Sequence, residues 1–130
     1  MAFLLDTCAI LWSNLETTRL SNPVKKALEK NESETIVSSV SSAEIGCLQI
    51  RNRVRLPSHW KPWFREVLDI HGWECLPIDL ETLEEAYSLP GSFHPDPVDR
   101  ILVATARLKG LTLITADKKI LDYPHVKTLW

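Results

Sequence analysis

No apolar run in this chain approaches the ~20 residues that a membrane-spanning helix needs, which argues against an integral helical membrane protein. The opening Met1-Ala2-Phe3-Leu4-Leu5 is cut short by Asp6 and has no basic flank, so a signal peptide is not expected. Cysteine is scarce. Cys8, Cys47 and Cys75 lie far apart, with neither the C-x-x-C spacing of a zinc site nor the even set of a disulfide framework, so a reducing cytoplasm is the expected compartment. Basic residues are in no excess, and the net charge of −2 excludes a generally basic nucleic-acid coat. It still leaves room for a local basic groove around an acidic, metal-neutralised site. A Gly-rich phosphate loop, a Ser-His-Asp arrangement, internal repeats and low-complexity tracts are missing as well.

What remains is an ordinary globular composition, 45% hydrophobic and 25% charged, over 130 residues. That length suits one domain with a substantial core, spanning residues 1–130. Phe3-Leu4-Leu5 reads as a buried strand ending at Asp6-Thr7, followed by a helical turn through Cys8–Trp12. Asn22-Pro23 reads as a cap and a first helical proline before Val24–Lys30. Thr35–Ser38 is a second strand, and Ser41-Ser42-Ala43-Glu44 resembles a capping box that opens a helix through Ile45 and Leu48.

A helix is expected from Ser58 to about Ile70, with Gly72 as its stop, then a third strand over Glu74–Ile78 that Pro77 keeps short or near an edge. Asp79 caps the next helix, Leu80 to about Leu89. Asp96 and Pro97 start another, which runs to Gly110 with Val98, Ile101, Leu102, Thr105 and Leu108 on one face. Leu111–Thr115 is a fourth strand, Asp117–Leu121 a helical turn, and His125–Leu129 a last short strand. Strands alternating with helices predict an α/β fold with a mainly parallel sheet of four to five strands.

Ligands of such sheets sit beyond the carboxyl ends of the strands. Asp6, Glu44, Asp96, Asp99 and Asp117 all fall there if the sheet is parallel. Converging carboxylates repel one another unless protons or a cation neutralise them, and oxygen-only ligands favour Mg²⁺ or Mn²⁺. A cation so held suits phosphodiester hydrolysis. Each acid also has a purely local explanation: Glu44 as the end of a capping box, Asp96 and Asp117 as N-caps, Asp99 against the helix dipole, Asp6 as the cap of the following turn. Chance capping does not require all of them on one rim.

Leu4-Leu5-Asp6-Thr7, Ser41-Ser42-Ala43-Glu44, His94-Pro95-Asp96-Pro97-Val98-Asp99-Arg100 and Leu113-Ile114-Thr115-Ala116-Asp117 resemble, in order and spacing, the motifs of PIN-domain proteins, in particular VapC-type toxins. The resemblance covers essentially the whole chain, including the closing Val126–Trp130. It implies a three-layer PIN-like fold and a Mg²⁺- or Mn²⁺-dependent endoribonuclease, often dimeric and held inactive by a VapB-type antitoxin. It carries the family's acids onto Asp6, Glu44, Asp99 and Asp117. Asp96 remains a possible ligand. Asp99 is preferred because it precedes Ile101-Leu102-Val103-Ala104 at the family's usual offset, whereas Asp96 is explained as a cap.

Thr7, Ser38 and Thr115 flank the rim and either bond local backbone or face a ligand. Arg100 is expected to pair with a neighbouring acid, His94 to be a turn residue without a catalytic role, and Cys8 and Cys47 to be small core residues. The segment Arg51–Arg65 mixes cations and aromatics as an RNA-binding surface does. Helical spacing of Trp60, Phe64 and Val67 favours a packing face against the domain, an antitoxin or a second copy. Two rival functions stay open. A receiver-like phosphoacceptor domain would pair two acids near the end of the first strand and carry a lysine after a late strand, but Asp6 stands alone and Lys118-Lys119 directly follow Asp117. A catalytically silent PIN-like binding module would keep the fold without the chemistry.

Overall fold

The strand β1 (Ala2–Leu5) lies at the centre of a five-stranded sheet of order β3-β2-β1-β4-β5, and every neighbouring pair is parallel. The sheet is described here from a computed structural model that covers residues 1–30 and 34–130. Its other strands are β2 (Glu34–Ser38), β3 (Glu74–Leu76), β4 (Thr112–Ile114) and β5 (Thr128–Leu129). Register aligns Leu4 with Ile36 and Leu113, and Leu5 with Val37 and Ile114. Side chains alternate across a strand, so these two rows face opposite ways.

Both rows are buried, which is why β1 is apolar throughout. Phe3, Leu5, Val37 and Ile114 pack with residues of α1 (Thr7–Leu15), α2 (Asn22–Glu29), α3 (Ser39–Ile50) and α4 (Trp60–His71). Leu4, Ile36 and Leu113 pack with α6 (Pro97–Lys109), Ala86 of α5 (Leu80–Ala86) and Ile120 of α7 (Lys118–Leu121). The result is helices on both faces of a parallel sheet, the three-layer α/β arrangement expected. Burial of Ile101 and Leu102 together with Val103, Ala104 and Ala106 shows α6 covered on more than the one stripe read from its period.

Several element ends differ from the sequence reading. The cap of α2 is Ser21, whose Oγ accepts from the Val24 N–H, with Asn22 already helical. The helix α3 begins at Ser39 with Ser38 as its cap, so Glu44 lies in the helix body and the Ser41–Glu44 capping box does not form. Ser41 instead accepts a hydrogen bond from the buried Thr7 hydroxyl at 3.1 Å. The helix α5 stops at Ala86, short of Leu89: the Tyr87 and Ser88 N–H groups turn back to the Glu84 and Glu85 carbonyls, and Pro90 has no N–H for the Ala86 carbonyl, which accepts from the Arg100 guanidinium at 2.9 Å instead. The strand β5 starts at Thr128 rather than His125, since the Leu111 N–H that would extend the pairing is held by the Ala106 carbonyl at the end of α6 and the His125 carbonyl accepts from Arg107. Gly72 and Gly110 end α4 and α6 as expected, each in the left-handed region at φ 67° and 65°.

Where α3 packs on α4, Gly46 provides the close approach. A Cβ at this position would lie 2.9 Å from Trp60 Cε2 and 3.0 Å from its Cδ2. Gly46→Ala should therefore lower stability by about 1–2 kcal/mol, because overpacking costs ~1–3 kcal/mol against a helix-propensity gain of ~0.5–1. Urea denaturation measures this directly; a stabilised variant would contradict the packing described.

Candidate active site

Asp6 leaves the carboxyl end of β1 and caps α1, its Oδ1 accepting from the Ala9 N–H at 2.8 Å. Asp96 caps α6 in the same way, Oδ1 accepting from the Asp99 N–H at 3.0 Å, and Asp117 caps α7 through Oδ1 and the Lys119 N–H at 2.8 Å. Only one oxygen of each carboxylate is spent on its cap. Together with Glu44 from α3 and Asp99 from the first turn of α6, these acids line one pocket of about 400 Å³ beyond the carboxyl ends of the strands. All the acids read from the sequence are therefore brought together.

Their depth differs. Asp6 is 7% exposed, Glu44 and Asp99 are half-buried, and Asp96 and Asp117 are exposed. Burial pushes the Asp6 carboxyl up to about 6; the Thr115 hydroxyl and the Ala9 N–H oppose this, and the charges of Glu44 and Asp117 add to it. Thr115 Oγ1 accepts from the Asp117 N–H at 3.1 Å, which leaves its own proton for Asp6. Asp99 is pushed up to about 7, first by burial and then by the charges of Asp96, Asp117, Glu44 and Asp6. Glu44 is raised by burial as well, with the Thr7 hydroxyl opposing and Asp96 adding. His94 Nε2 lies 3.0 Å from Asp99 Oδ2 but is not aligned for a hydrogen bond, and it has no other partner among the described residues.

Among the described residues, no three His, Cys, Asp or Glu side chains close on a single point in this arrangement. The donor chemistry still fits a hard divalent cation. The acids offer oxygen only, and Mg²⁺ typically takes one or two carboxylates and keeps several waters, so it does not require a closed protein cage. Cys8 also lines the pocket. Burial, followed by the charges of Asp6 and Glu44, pushes its thiol up to about 11, so in the metal-free protein it is protonated at neutral pH.

Three residues depart from their sequence reading. Cys8 and Cys47 are exposed rather than in the core, because Cys8 turns to the pocket mouth and the helix faces that are buried belong to Ala9-Ile10 and Ile45-Gly46. Among the described residues, Arg100 pairs with no acid. Its guanidinium donates to the carbonyls of Ala86, Phe93 and His94 at 2.9, 2.8 and 3.1 Å, fixing the loop that delivers Asp96 and Asp99. Trp12 on the pocket wall went unnoticed, although its place in the second turn of a helix started by Asp6 was available as a signal. Phe64 and Val67 are buried against the domain as the helical spacing suggested, and Trp63 with them, while Trp60 is only partly buried, its ring lying against Gly46 of α3.

A parallel α/β sheet with helices on both faces and a cluster of carboxylates at its carboxyl rim defines a class, the α/β domain with an acidic rim site. The chain belongs to the PIN-domain family, whose model matches residues 3–126. It is similar to Ribonuclease VapC22 of Mycobacterium tuberculosis, with 30% identity over 129 residues that make up 98% of this chain and 97% of that protein. Its fold is similar to VapBC2 from Rickettsia felis bound to a promoter DNA fragment, at TM-score 0.70 and 17% identity over 99% of this chain and 98% of that one. DNA-bound VapBC from Salmonella typhimurium is similar at TM-score 0.69 and 16% identity, over 99% and 97% of the two chains. Family membership sets the receiver reading aside.

The raised carboxyls carry a stability consequence. Between the ordinary carboxyl value of 3.8 and the folded values of about 6 and 7, the native state binds more protons than the unfolded one. Stability then falls as pH rises. The contribution is fully present below about pH 4 and is lost as pH climbs through 6 and 7. Metal-free protein should melt at a lower temperature at pH 8 than at pH 5, with a shallower decline in Asp6→Asn, which keeps a capping side chain. Thermal melts across that range in chelator measure it, and a wild-type slope of the opposite sign would contradict the site's electrostatics.

Proposed function

We propose that the chain is a VapC-type toxin endoribonuclease that hydrolyses RNA phosphodiester bonds at the acidic pocket, using Mg²⁺ or Mn²⁺ held by Asp6, Glu44, Asp99 and Asp117, with Asp96 at its margin. The observation that carries this reading is the convergence of these carboxylates, from separate strands and helices, in one pocket. Kinship with a ribonuclease supports the substrate class. A divalent cation bound there would polarise a phosphoryl oxygen and favour the ionised form of an attacking water.

The protein's own residues supply placement. Asp6 is anchored by its cap bond to Ala9 and walled by core residues, so its free oxygen points from a rigid support. The Arg100 clamp and the Asp96 cap hold the first turn of α6, and with it Asp99, at the opposite wall. Hydrolysis would then proceed by water attacking phosphorus as the bond to the leaving oxygen breaks, without a covalent enzyme intermediate.

A VapB-type antitoxin is the proposed regulator, supported by the toxin–antitoxin complexes among the structures of the same fold. A homodimer is proposed through the exposed face of α5, where Leu80 and Leu83 are 72% and 41% exposed and Tyr87 just beyond them is 62% exposed. A cytoplasmic setting fits the free thiols, and no helix among the described residues is long and apolar enough to cross a membrane.

Cleavage of an RNA panel with Mg²⁺ or Mn²⁺ should be abolished by chelator and reduced at least ~100-fold in Asp6→Asn and in Asp99→Asn, equivalent to ~2.7 kcal/mol of transition-state stabilisation. Full activity in chelator, or in both variants, would contradict the mechanism. Tight antitoxin binding without cleavage of any RNA would favour the silent binding module.

A further inference from the structure

We propose that the groove beside the acidic pocket, walled by Trp12, Arg19, Arg53 and Arg55, is the track in which single-stranded RNA lies, its arginines holding the phosphates that flank the scissile one. This rests on the ribonuclease reading above and adds to it the residues that hold the strand. The groove has a volume of about 640 Å³ and shares Cys8 and Trp12 with the carboxylate pocket, so the two recesses meet at the start of α1.

The charges of the two recesses are opposite. Carboxylates fill one, while the other is lined by Leu11, Leu15, Leu48 and Val54 beside Trp12 and presents Arg19, Arg53 and Arg55 against a single acid, Glu16, which lies 3.6 Å from Arg19. Among the described residues, Arg53 and Arg55 pair with no carboxylate. A polyanion that reaches a metal-neutralised acidic centre needs cations along its approach, and this is where the fold places them.

The cations are also held in place. The Arg19 guanidinium sits 4.2 Å over the Trp12 ring, and the edge of Trp130 braces that ring at a centroid distance of 5.5 Å. Across the groove, α3 ends in a tight hydrogen-bonded turn: Arg53 N–H donates to Leu48 C=O at 2.8 Å and Asn52 N–H to Gln49 C=O at 3.0 Å, with Asn52 left-handed at φ 56°. Partly buried Val54 and Leu56 anchor the segment on the core while Arg53 and Arg55 point outward. Alternation between anchored apolar and exposed basic residues gives a fixed cationic edge. Charge complementarity and continuity with the carboxylate pocket favour a nucleic-acid strand here over a protein segment.

The test is binding of a fluorescein-labelled single-stranded RNA of mixed sequence to protein carrying Asp99→Asn, read by anisotropy over a salt series, with and without Arg53→Gln/Arg55→Gln. A charge-matched control, Lys26→Gln/Lys127→Gln, lies at the opposite end of the sheet. Losing two phosphate contacts should flatten the log–log salt slope by about 1.4, at ~0.7 per contact on a single strand, while the control keeps the parent slope. In cleavage assays with Asp99 intact, the arginine changes should raise KM rather than lower kcat. Equal slopes in the arginine variant and the control would overturn the proposal, as would unchanged RNA binding with loss of antitoxin binding. If the parent binds RNA through these arginines but protein with Asp99 intact never cleaves it, the groove stands and the ribonuclease reading fails; if the parent binds no RNA, both fail.

Discussion

Burial of several carboxylates together at the carboxyl rim of the sheet, with their mutual repulsion added to it, is the constraint on which the arrangement of this molecule turns. Parallel strands and helix starts both direct acidic residues there, and capping supplies a local reason for three of them. Asp6, Asp96 and Asp117 each commit Oδ1 to a backbone N–H. Capping and metal binding are therefore compatible uses of one side chain, since the second oxygen remains for a ligand. The energetic cost of the arrangement shows in the raised carboxyls of Asp6, Glu44 and Asp99: burial outweighs the Thr115 hydroxyl and Ala9 N–H at Asp6 and the Thr7 hydroxyl at Glu44, and at Asp99 burial and the neighbouring charges act together. A cation would relieve that cost, and this couples ligand binding to stability.

Scaffolding around the rim follows from the same need. Central β1 is covered on both faces by apolar rows, so Asp6 emerges from the most rigid part of the sheet. Arg100 spends its charge on three carbonyls and thereby holds the segment before α6, whose acids would otherwise ride on a loose loop. Next to this acidic recess lies a basic one, so a net charge of −2 hides a local separation of sign. For a polyanionic substrate such separation matters more than the total.

Strands, stops and acids were legible in the sequence because each has a local cause. Phe3-Leu4-Leu5 has the unbroken apolarity of a strand buried on both sides, Gly72 and Gly110 end helices, and Asp79, Asp96 and Asp117 cap them. Features set by distant partners were not legible. Ser38 displaced Ser41 as the cap of α3 while Ser41 found Thr7, 34 residues away. Arg100 chose backbone carbonyls over the acids beside it, the carbonyl of Ala86 at the end of α5 among them. Cys8 looked like core because small thiols usually are, yet the helix that Asp6 starts turns it toward the pocket mouth. The wall formed by Trp12 depends on where the helix docks, which no spacing within the helix records.

Carboxyl-carbon NMR titration of the metal-free protein, followed by addition of Mn²⁺, tests the central claim most directly. The account predicts that Asp6 and Asp99 titrate near 6 and 7, well above Asp79, whose bonds to Thr82 hold it below the usual range. It further predicts that Mn²⁺ broadens the resonances of Asp6, Glu44, Asp99 and Asp117 before any other carboxyl. Titration of Asp6 and Asp99 in the ordinary carboxylate range, or broadening centred elsewhere on the protein, would contradict it.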